Sequence, residues 1–234
     1  SKALLHTSHL FEEAAHSFAG QGIKVAPPTI DVPVMKGRKD TVVNQLTSGI
    51  KGLFRKNKVT FLPGHGAFAA RENDLWKVTV GTEEILAKQV IVATGSKARH
   101  LQNVPVDNKI VLDNEGALDQ ESVPEKLAII GAGVIGLEMG SVWRRLGSEV
   151  TILEAMPDFL AVADQDVAKE AAKLFAKQGL DIRTGVTIGD IKVSKNGVSI
   201  DYDDKDGQAQ KLDADRLIVS IGRIPNTDGL NAGG

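Results

Sequence analysis

The chain has 234 residues, of which 42% are hydrophobic and 25% charged, a composition typical of a folded globular protein rather than a disordered one. Its 28 Lys and Arg against 30 Asp and Glu give a net charge of −2, which argues against nucleic acid or an acidic membrane as a partner. The absence of cysteine excludes a disulfide, a thiolate metal site or a cysteine nucleophile on this chain. No apolar stretch approaches the roughly 20 residues of a membrane helix, and no signal peptide is evident, so we expect a cytoplasmic protein.

The first part of the chain changes from helical to strand periodicity. The apolar spacing predicts an amphipathic helix over 2–18 and a second over 33–57. Short β-rich stretches between turn residues then predict five strands, at Val59–Leu62, Ala67–Arg71, Trp76–Val80, Glu84–Leu86 and Val90–Ala93. The last of these is a continuous apolar run, typical of a strand buried on both faces.

The second part, after a turn-rich stretch over 97–125, alternates between strand and helix. The predicted elements, in chain order, are a strand at 127–130, a helix at 133–146, a strand at 149–154, a helix at 166–178 and a strand at 180–183. This alternation predicts an α/β fold with parallel strands and right-handed crossovers. An antiparallel excursion is predicted next, followed by a last buried strand; the segments are 186–193, 198–202, 211–212 and 217–221.

The strongest chemical signal is the segment Gly131-Ala132-Gly133-Val134-Ile135-Gly136, which follows a predicted buried strand and opens a predicted helix. In such a turn the first glycine permits the bend, the second lets a pyrophosphate approach, and the third lets helix and strand pack closely. Glu154 ends the next strand, where a carboxylate accepts hydrogen bonds from a ribose hydroxyl and repels a 2′-phosphate. Since the next four residues include no Arg or Lys, the sequence predicts an NAD site rather than an NADP site.

Three further glycine motifs support a family resemblance. Gly64-His65-Gly66 lies between predicted strands, while Thr94-Gly95-Ser96 and Gly222-Arg223-Ile224-Pro225-Asn226 each end a predicted buried strand. Taken singly, each is explained as a turn. Together with the glycine-rich segment, they resemble the flavoprotein disulfide reductases, and within them the branch that oxidises dihydrolipoyl groups. The opening residues 1–6 are similar to the helix that follows the redox-active cysteine pair of that family.

The resemblance implies two cofactor sites and their residues. It implies a Rossmann-type NAD-binding domain at 109–225, part of a Rossmann-like FAD-binding domain at 1–108, and the start of a return to the FAD domain at 226–234. The residues implied for FAD are Lys2, Gly66, Thr94, Gly95 and Ser96. Those implied for NAD are Gly131, Ala132, Gly133, Val134, Ile135, Gly136, Leu137, Glu138, Glu154, Val186 and Gly222.

Lys2 and Glu138 are also implied to form a pair that tunes the flavin, because a cation beside flavin N5 stabilises the reduced, anionic ring. The alternative is a solvated lysine and a glutamate favoured by the positive end of a helix. Val186 is equally compatible with a simple core position, and Gly222 with a turn. His6 and His9 have a spacing that can bind a metal, but no third ligand is evident and we expect no metal site.

The resemblance further implies an enzyme longer than this chain. The family's redox cysteines would precede Ser1, and its catalytic His–Glu pair and dimerisation domain would follow Gly234. We therefore expect an internal fragment that is inactive alone, from a homodimer whose partner is the lipoyl-bearing acyltransferase of 2-oxo acid dehydrogenase complexes. Three alternatives stay open: a non-catalytic NAD-binding module, part of a sister FAD-dependent disulfide or metal reductase, and a fragment that binds nothing.

Overall fold

A computed structural model describes residues 1–232, which divide into two compact units. Unit 1 comprises Ser1–Val42 and Ala98–Gly222, and unit 2 comprises Val43–Lys97 together with residues 223–232. The division follows compactness, whereas the predicted limits at 108 and 225 follow the cofactor that each part would bind. Those limits stay a prediction.

The helices and strands alternate most regularly after residue 125. The helices are α1 (Lys2–His16), α2 (Val32–Lys56), α3 (Asn114–Leu118), α4 (Val134–Arg145) and α5 (Gln165–Gln178). The strands are β1 (Gly66–Glu72), β2 (Leu75–Val80), β3 (Glu83–Ala87), β4 (Ser96–Ala98), β5 (Val111–Leu112), β6 (Lys126–Ile130), β7 (Glu149–Glu154), β8 (Asp181–Thr184), β9 (Thr187–Ser194), β10 (Gly197–Asp203), β11 (Ala209–Ala214), β12 (Arg216–Val219) and β13 (Arg223–Pro225). Within residues 1–232, none of the helices combines the length and the hydrophobicity needed to cross a membrane.

A five-stranded parallel sheet forms the centre of unit 1, in the order β5-β12-β6-β7-β8. The central strands β6 and β7 are apolar on both faces, and residues 127–130 and 150–153 are buried. Parallel neighbours need a crossover, which α4 supplies between β6 and β7 and α5 between β7 and β8. The prediction of an α/β fold is confirmed.

Different elements cover the two faces of this sheet. On one face α4 packs against α1, and Trp143 and Leu4 are buried in the same apolar cluster. On the other face lies the antiparallel sheet β11-β10-β9, whose alternate residues Val198, Ile200 and Tyr202 point into a second apolar cluster. The predicted antiparallel excursion is therefore confirmed. Because successive side chains of a strand point to opposite faces, only one face of this sheet is buried.

Unit 2 is built on the antiparallel meander β1-β2-β3. Its last described segment returns to this sheet, since the Phe68 N–H donates to the Leu230 carbonyl at 2.9 Å. Phe68 also meets Trp76 edge to face across β1 and β2. The three predicted strands at 67–71, 76–80 and 84–86 are confirmed, each extended by one or more residues.

Two predicted strands are wrong. Neither Val59–Leu62 nor Val90–Ala93 forms a strand, and Ile91 is 92% exposed. A strand buried on both faces requires neighbours on both edges, and within residues 1–232 none pairs with Val90–Ala93. Hydrophobicity alone therefore does not make this segment a strand.

Candidate nucleotide-binding site

The glycine-rich turn connects β6 to α4 at the carboxyl edge of the parallel sheet. Gly131 has a φ of +105°, a conformation that side chains with a Cβ rarely adopt, and its N–H donates to the Leu153 carbonyl at 2.8 Å. A Cβ at this position would overlap the Ser220 carbonyl oxygen, at the end of the neighbouring strand β12. The turn is thus held between two strands and can only be formed by glycine.

Gly136 lies in the first turn of α4, where a Cβ would overlap the Gly131 carbonyl oxygen. One helical turn later, a Cβ at Gly140 would lie 3.2 Å from Ile152 Cδ1 and 3.3 Å from Ile129 Cδ1. These two glycines let the helix approach the sheet closely. Their role is packing, as the sequence predicted for Gly136.

The N-terminus of α4 has no side-chain cap. Gly133 occupies the cap position, whereas Asp113 and Asp164 cap α3 and α5 with their carboxylates. No atom lies within 4 Å of the position that a Gly133 Cβ would take, and Val134 is 67% exposed. The first amides of α4 therefore face open space, and together with the helix dipole they favour an anion.

Glu154 ends β7 beside this turn, and backbone amides bind both of its carboxylate oxygens. Oε2 accepts a hydrogen bond from the Ala132 N–H at 2.7 Å, and Oε1 accepts one from the Met156 N–H at 2.9 Å. A carboxylate has about four acceptor positions, so two remain for hydroxyl groups. Glu154 is therefore fixed in place and keeps its capacity to bind a diol.

The neighbouring strand ends complete this edge of unit 1. The Val186 N–H donates to the Glu154 carbonyl at 3.1 Å, and the Val186 side chain is buried. Gly222 has a φ of +116°, and a Cβ added to it would have no atom within 4 Å. Its carbonyl accepts a hydrogen bond from the Arg99 N–H at 3.0 Å. The residues predicted from separate strands thus all lie along the carboxyl edge, where open α/β sheets bind their ligands.

Lys2 and Glu138 lie on α1 and α4, the two helices that pack together. Burial lowers the pKa of the Ser1 amino group, and the Glu138 carboxylate opposes this, which places Glu138 towards the start of α1. In the described chain no ion pair within 4.0 Å joins Lys2 to Glu138. The two residues therefore lie on adjacent helices but form no ion pair here.

The predicted flavin residues lie in unit 2, apart from Lys2. The Arg223 Nε donates to Ser96 Oγ at 2.7 Å, and the same guanidinium donates to the Ser96 carbonyl. Asn226 donates its backbone N–H to the Gly95 carbonyl at 3.0 Å and its side-chain amide to the Thr94 carbonyl at 3.4 Å. The last two predicted motifs are therefore brought together, while Gly66 pairs with Val80 at the start of β1.

A family model described as pyridine nucleotide-disulphide oxidoreductase matches residues 1–234. The chain belongs to this family. Its geometry fits the family description, because the uncapped helix, the open Gly133 and the fixed Glu154 suit a dinucleotide.

Curated relatives of this chain carry the name dihydrolipoyl dehydrogenase. The chain is 56% identical to the dihydrolipoyl dehydrogenase of Cupriavidus necator. The match covers 98% of this chain and 48% of the relative. It is 43% identical to the mitochondrial dihydrolipoyl dehydrogenase 1 of Arabidopsis thaliana, over 99% of its own length and 46% of that protein. The chain thus spans about half the length of the curated relatives that it matches.

The same fold is also found in a solved structure. LpdA from Mycobacterium tuberculosis superposes with a TM-score of 0.85 at 23% identity, covering 98% of this chain and 50% of that one. This likeness supports the fold, which agrees with the α/β prediction.

Two residues of the candidate site were not predicted. Met156 supplies an amide to Glu154, and Ser220 supplies the carbonyl that limits Gly131 to glycine. Both act through the backbone, which any residue type supplies, so no residue pattern could have identified them. The only available signal was position, directly after the ends of β7 and β12.

Proposed function

We propose that unit 1 binds NAD, with the pyrophosphate at the N-terminus of α4 and the adenosine ribose at Glu154. The observation that carries this proposal is the Glu154 carboxylate, held 2.7 Å from the Ala132 N–H inside the glycine turn. This observation supports the proposal, because the carboxylate that would accept the ribose hydroxyls lies next to the helix end that would bind the pyrophosphate.

In this proposal, the residues at the start of α4 have different roles in binding NAD. The first amides of α4 bind the pyrophosphate, and Gly133 leaves room for it. Val134 and Ile135 provide apolar contacts that exclude water beside the nicotinamide. Leu137, which is buried, keeps the helix start seated in the core. When bound, NAD supplies the ring carbon that accepts a hydride.

Replacing Glu154 by alanine is expected to weaken NADH binding about tenfold or more, because hydrogen bonds to a charged group contribute about 1.5–3 kcal/mol. The measurement is a fluorescence titration with NADH. Glu149→Ala is the matched control, since this exposed carboxylate lies at the opposite end of the same strand. Equal effects of the two substitutions would contradict the assignment of Glu154.

The wild-type chain is also expected to bind NADH more tightly than NADPH, because the Glu154 carboxylate repels a 2′-phosphate. Equal affinity for the two nucleotides in the same titration would contradict this preference.

We further propose that the whole protein is a dihydrolipoyl dehydrogenase that oxidises dihydrolipoyl groups and reduces NAD. The names of its relatives support this activity. In this proposal residues 1–108 and 226–234 contribute to an FAD domain, in which Gly66, Thr94, Gly95 and Ser96 contact FAD. Lys2 and Glu138 then hold a positive charge near flavin N5. FAD supplies the ring that carries the electrons.

The proposed partners follow from the same activity. The whole protein would act as a cytoplasmic homodimer on the lipoyl-bearing acyltransferase of 2-oxo acid dehydrogenase complexes. Neither nucleic acid nor a membrane is proposed as a partner, in keeping with the net charge of −2.

The 234-residue chain by itself is expected to show no dihydrolipoamide oxidation, because its sequence contains no cysteine to exchange with a dithiol. The assay follows NADH formation from dihydrolipoamide and NAD in the presence of added FAD. A protein-free sample is the control, and turnover above it would contradict the prediction.

A further inference from the structure

The tip of the hairpin between β10 and β11 lies beside the end of β7. Gly185, in the turn after β8, has a φ of +71°, and a Cβ there would lie 3.3 Å from Lys205 Cβ and 3.8 Å from Pro157 Cα. Lys205 is in the hairpin tip, and Pro157 follows Glu154 by three residues. Two segments that are distant in sequence therefore meet at Gly185.

Backbone hydrogen bonds fix this meeting point relative to Glu154. The Gly185 N–H donates to the Met156 carbonyl at 2.9 Å, and the Val186 N–H donates to the Glu154 carbonyl at 3.1 Å. Met156 in turn donates its own N–H to the Glu154 carboxylate. The backbone of Lys205 is thus held next to the loop that positions the ribose-binding carboxylate.

The hairpin tip is itself well ordered by Asp204. Its carboxylate accepts hydrogen bonds from the Asp206 N–H at 3.0 Å, the Gln208 N–H at 2.9 Å and the Gln210 side-chain amide at 3.0 Å. The hydrogen bond from Gln208 is the main reason that the pKa of Asp204 is lowered, and the Lys205 charge lowers it further. Asp204 is therefore occupied inside the hairpin.

Lys205 differs from Arg183, which is another cation near this edge. Arg183 is engaged, because it donates to Asp181 Oδ2 at 2.6 Å and also to the Tyr202 hydroxyl. Lys205 is exposed, and in the described part of the chain it has no ion pair within 4.0 Å. Its four-carbon stem lets the ammonium group reach across the neighbouring loop.

We propose that Lys205 is a cation beside the nucleotide site that is available to a phosphate on the adenosine ribose, and that the Glu154 carboxylate masks it in the unaltered chain. This inference rests on the proposed binding of NAD. Glu154 opposes Lys205, and the carboxylate dominates because two backbone amides hold it beside the turn, whereas the lysine is flexible and solvated. Lys205 therefore acts on a 2′-phosphate once the Glu154 charge is removed.

The test is a fluorescence titration of the wild-type chain and four variants with NADH and with NADPH. The variants are Glu154→Gln, Lys205→Gln, the double variant with both changes, and Lys211→Gln. Lys211 is the matched control, because it is an exposed lysine on β11 of the same hairpin. Thermal unfolding of each variant confirms that it is folded.

We expect Glu154→Gln to raise the affinity for NADPH about tenfold, since it removes a like charge from the site. In the Glu154→Gln background, the further change Lys205→Gln is expected to lower the NADPH affinity about fivefold. High salt should lower the NADPH affinity of Glu154→Gln by a similar factor. Lys211→Gln should change the affinity for neither nucleotide.

An NADPH gain of the same size with and without Lys205 would overturn the inference while leaving the proposed NAD site intact. The absence of any gain in Glu154→Gln would overturn it in the same way. Failure of the wild-type chain to bind NADH would overturn the proposed function, and the inference with it. NADH titration of the wild type thus separates the two failures.

Discussion

Gly133→Ala is expected to weaken NADH binding about a hundredfold, which corresponds to the loss of one or two hydrogen bonds to a charged group. Gly133 has a φ of −74° and a ψ of 176°, values that alanine adopts without strain, and no atom lies within 4 Å of the added methyl group. The methyl group instead enters the space in front of the α4 amides. It would keep a pyrophosphate out of hydrogen-bond distance.

The same substitution should leave the fold intact. Alanine is a somewhat poorer helix cap than glycine, so a fall in Tm of less than about 3 °C is expected. Calorimetry and an NADH titration on one sample make the two measurements. Normal NADH binding by folded Gly133→Ala would show that the pyrophosphate does not lie at this helix end.

Gly131→Ala, in contrast, is expected to destabilise the fold. It should lower the free energy of unfolding by at least about 3 kcal/mol. The added Cβ would overlap the Ser220 carbonyl oxygen, and the φ of +105° would itself be strained for alanine. Gly131 follows β6 and Ser220 follows β12, and these two strands are paired. Neither residue's backbone can therefore move away without separating the strands. Urea unfolding provides the measurement.

A control at Gly147 separates strain from overlap. Its φ of +114° is close to that of Gly131, but no atom lies within 4 Å of a Cβ at this position. Gly147→Ala should therefore cost only the backbone strain, about 1–2 kcal/mol. If Gly131→Ala were no more destabilising than Gly147→Ala, the turn would have to relax away from Ser220.

Most of the elements that form the candidate nucleotide site could be predicted from short-range sequence patterns. β7 was predicted with the bounds Glu149–Glu154 that it has, and β6, α4 and α5 differ by no more than one residue at either end. Each of these elements has its own periodicity and its own start or stop residues, which are short-range signals. The glycine turn and Glu154 were identified for the same reason, because their meaning depends on the strand or helix beside them.

Short elements were less accessible from sequence. β5 has two residues and α3 has five, which are too few to show a repeating pattern of hydrophobic residues. Both lie in a stretch predicted to be turn-rich. Val90–Ala93 shows the reverse failure, since its apolar run has no strand beside it within residues 1–232. A strand exists through its partners, and a local pattern contains no information about them.

Only the tertiary structure distinguished residues that look alike in the sequence. Gly131 is crowded by Ser220 and Gly133 faces open space, although both belong to one motif. Lys205 lies near the loop after Glu154, although the two are far apart along the chain. Such contacts arise from the order of strands and the docking of a hairpin on their carboxyl edge. These are long-range properties, so the sequence identifies the glycine-rich turn, whereas the fold decides which residues lie beside it.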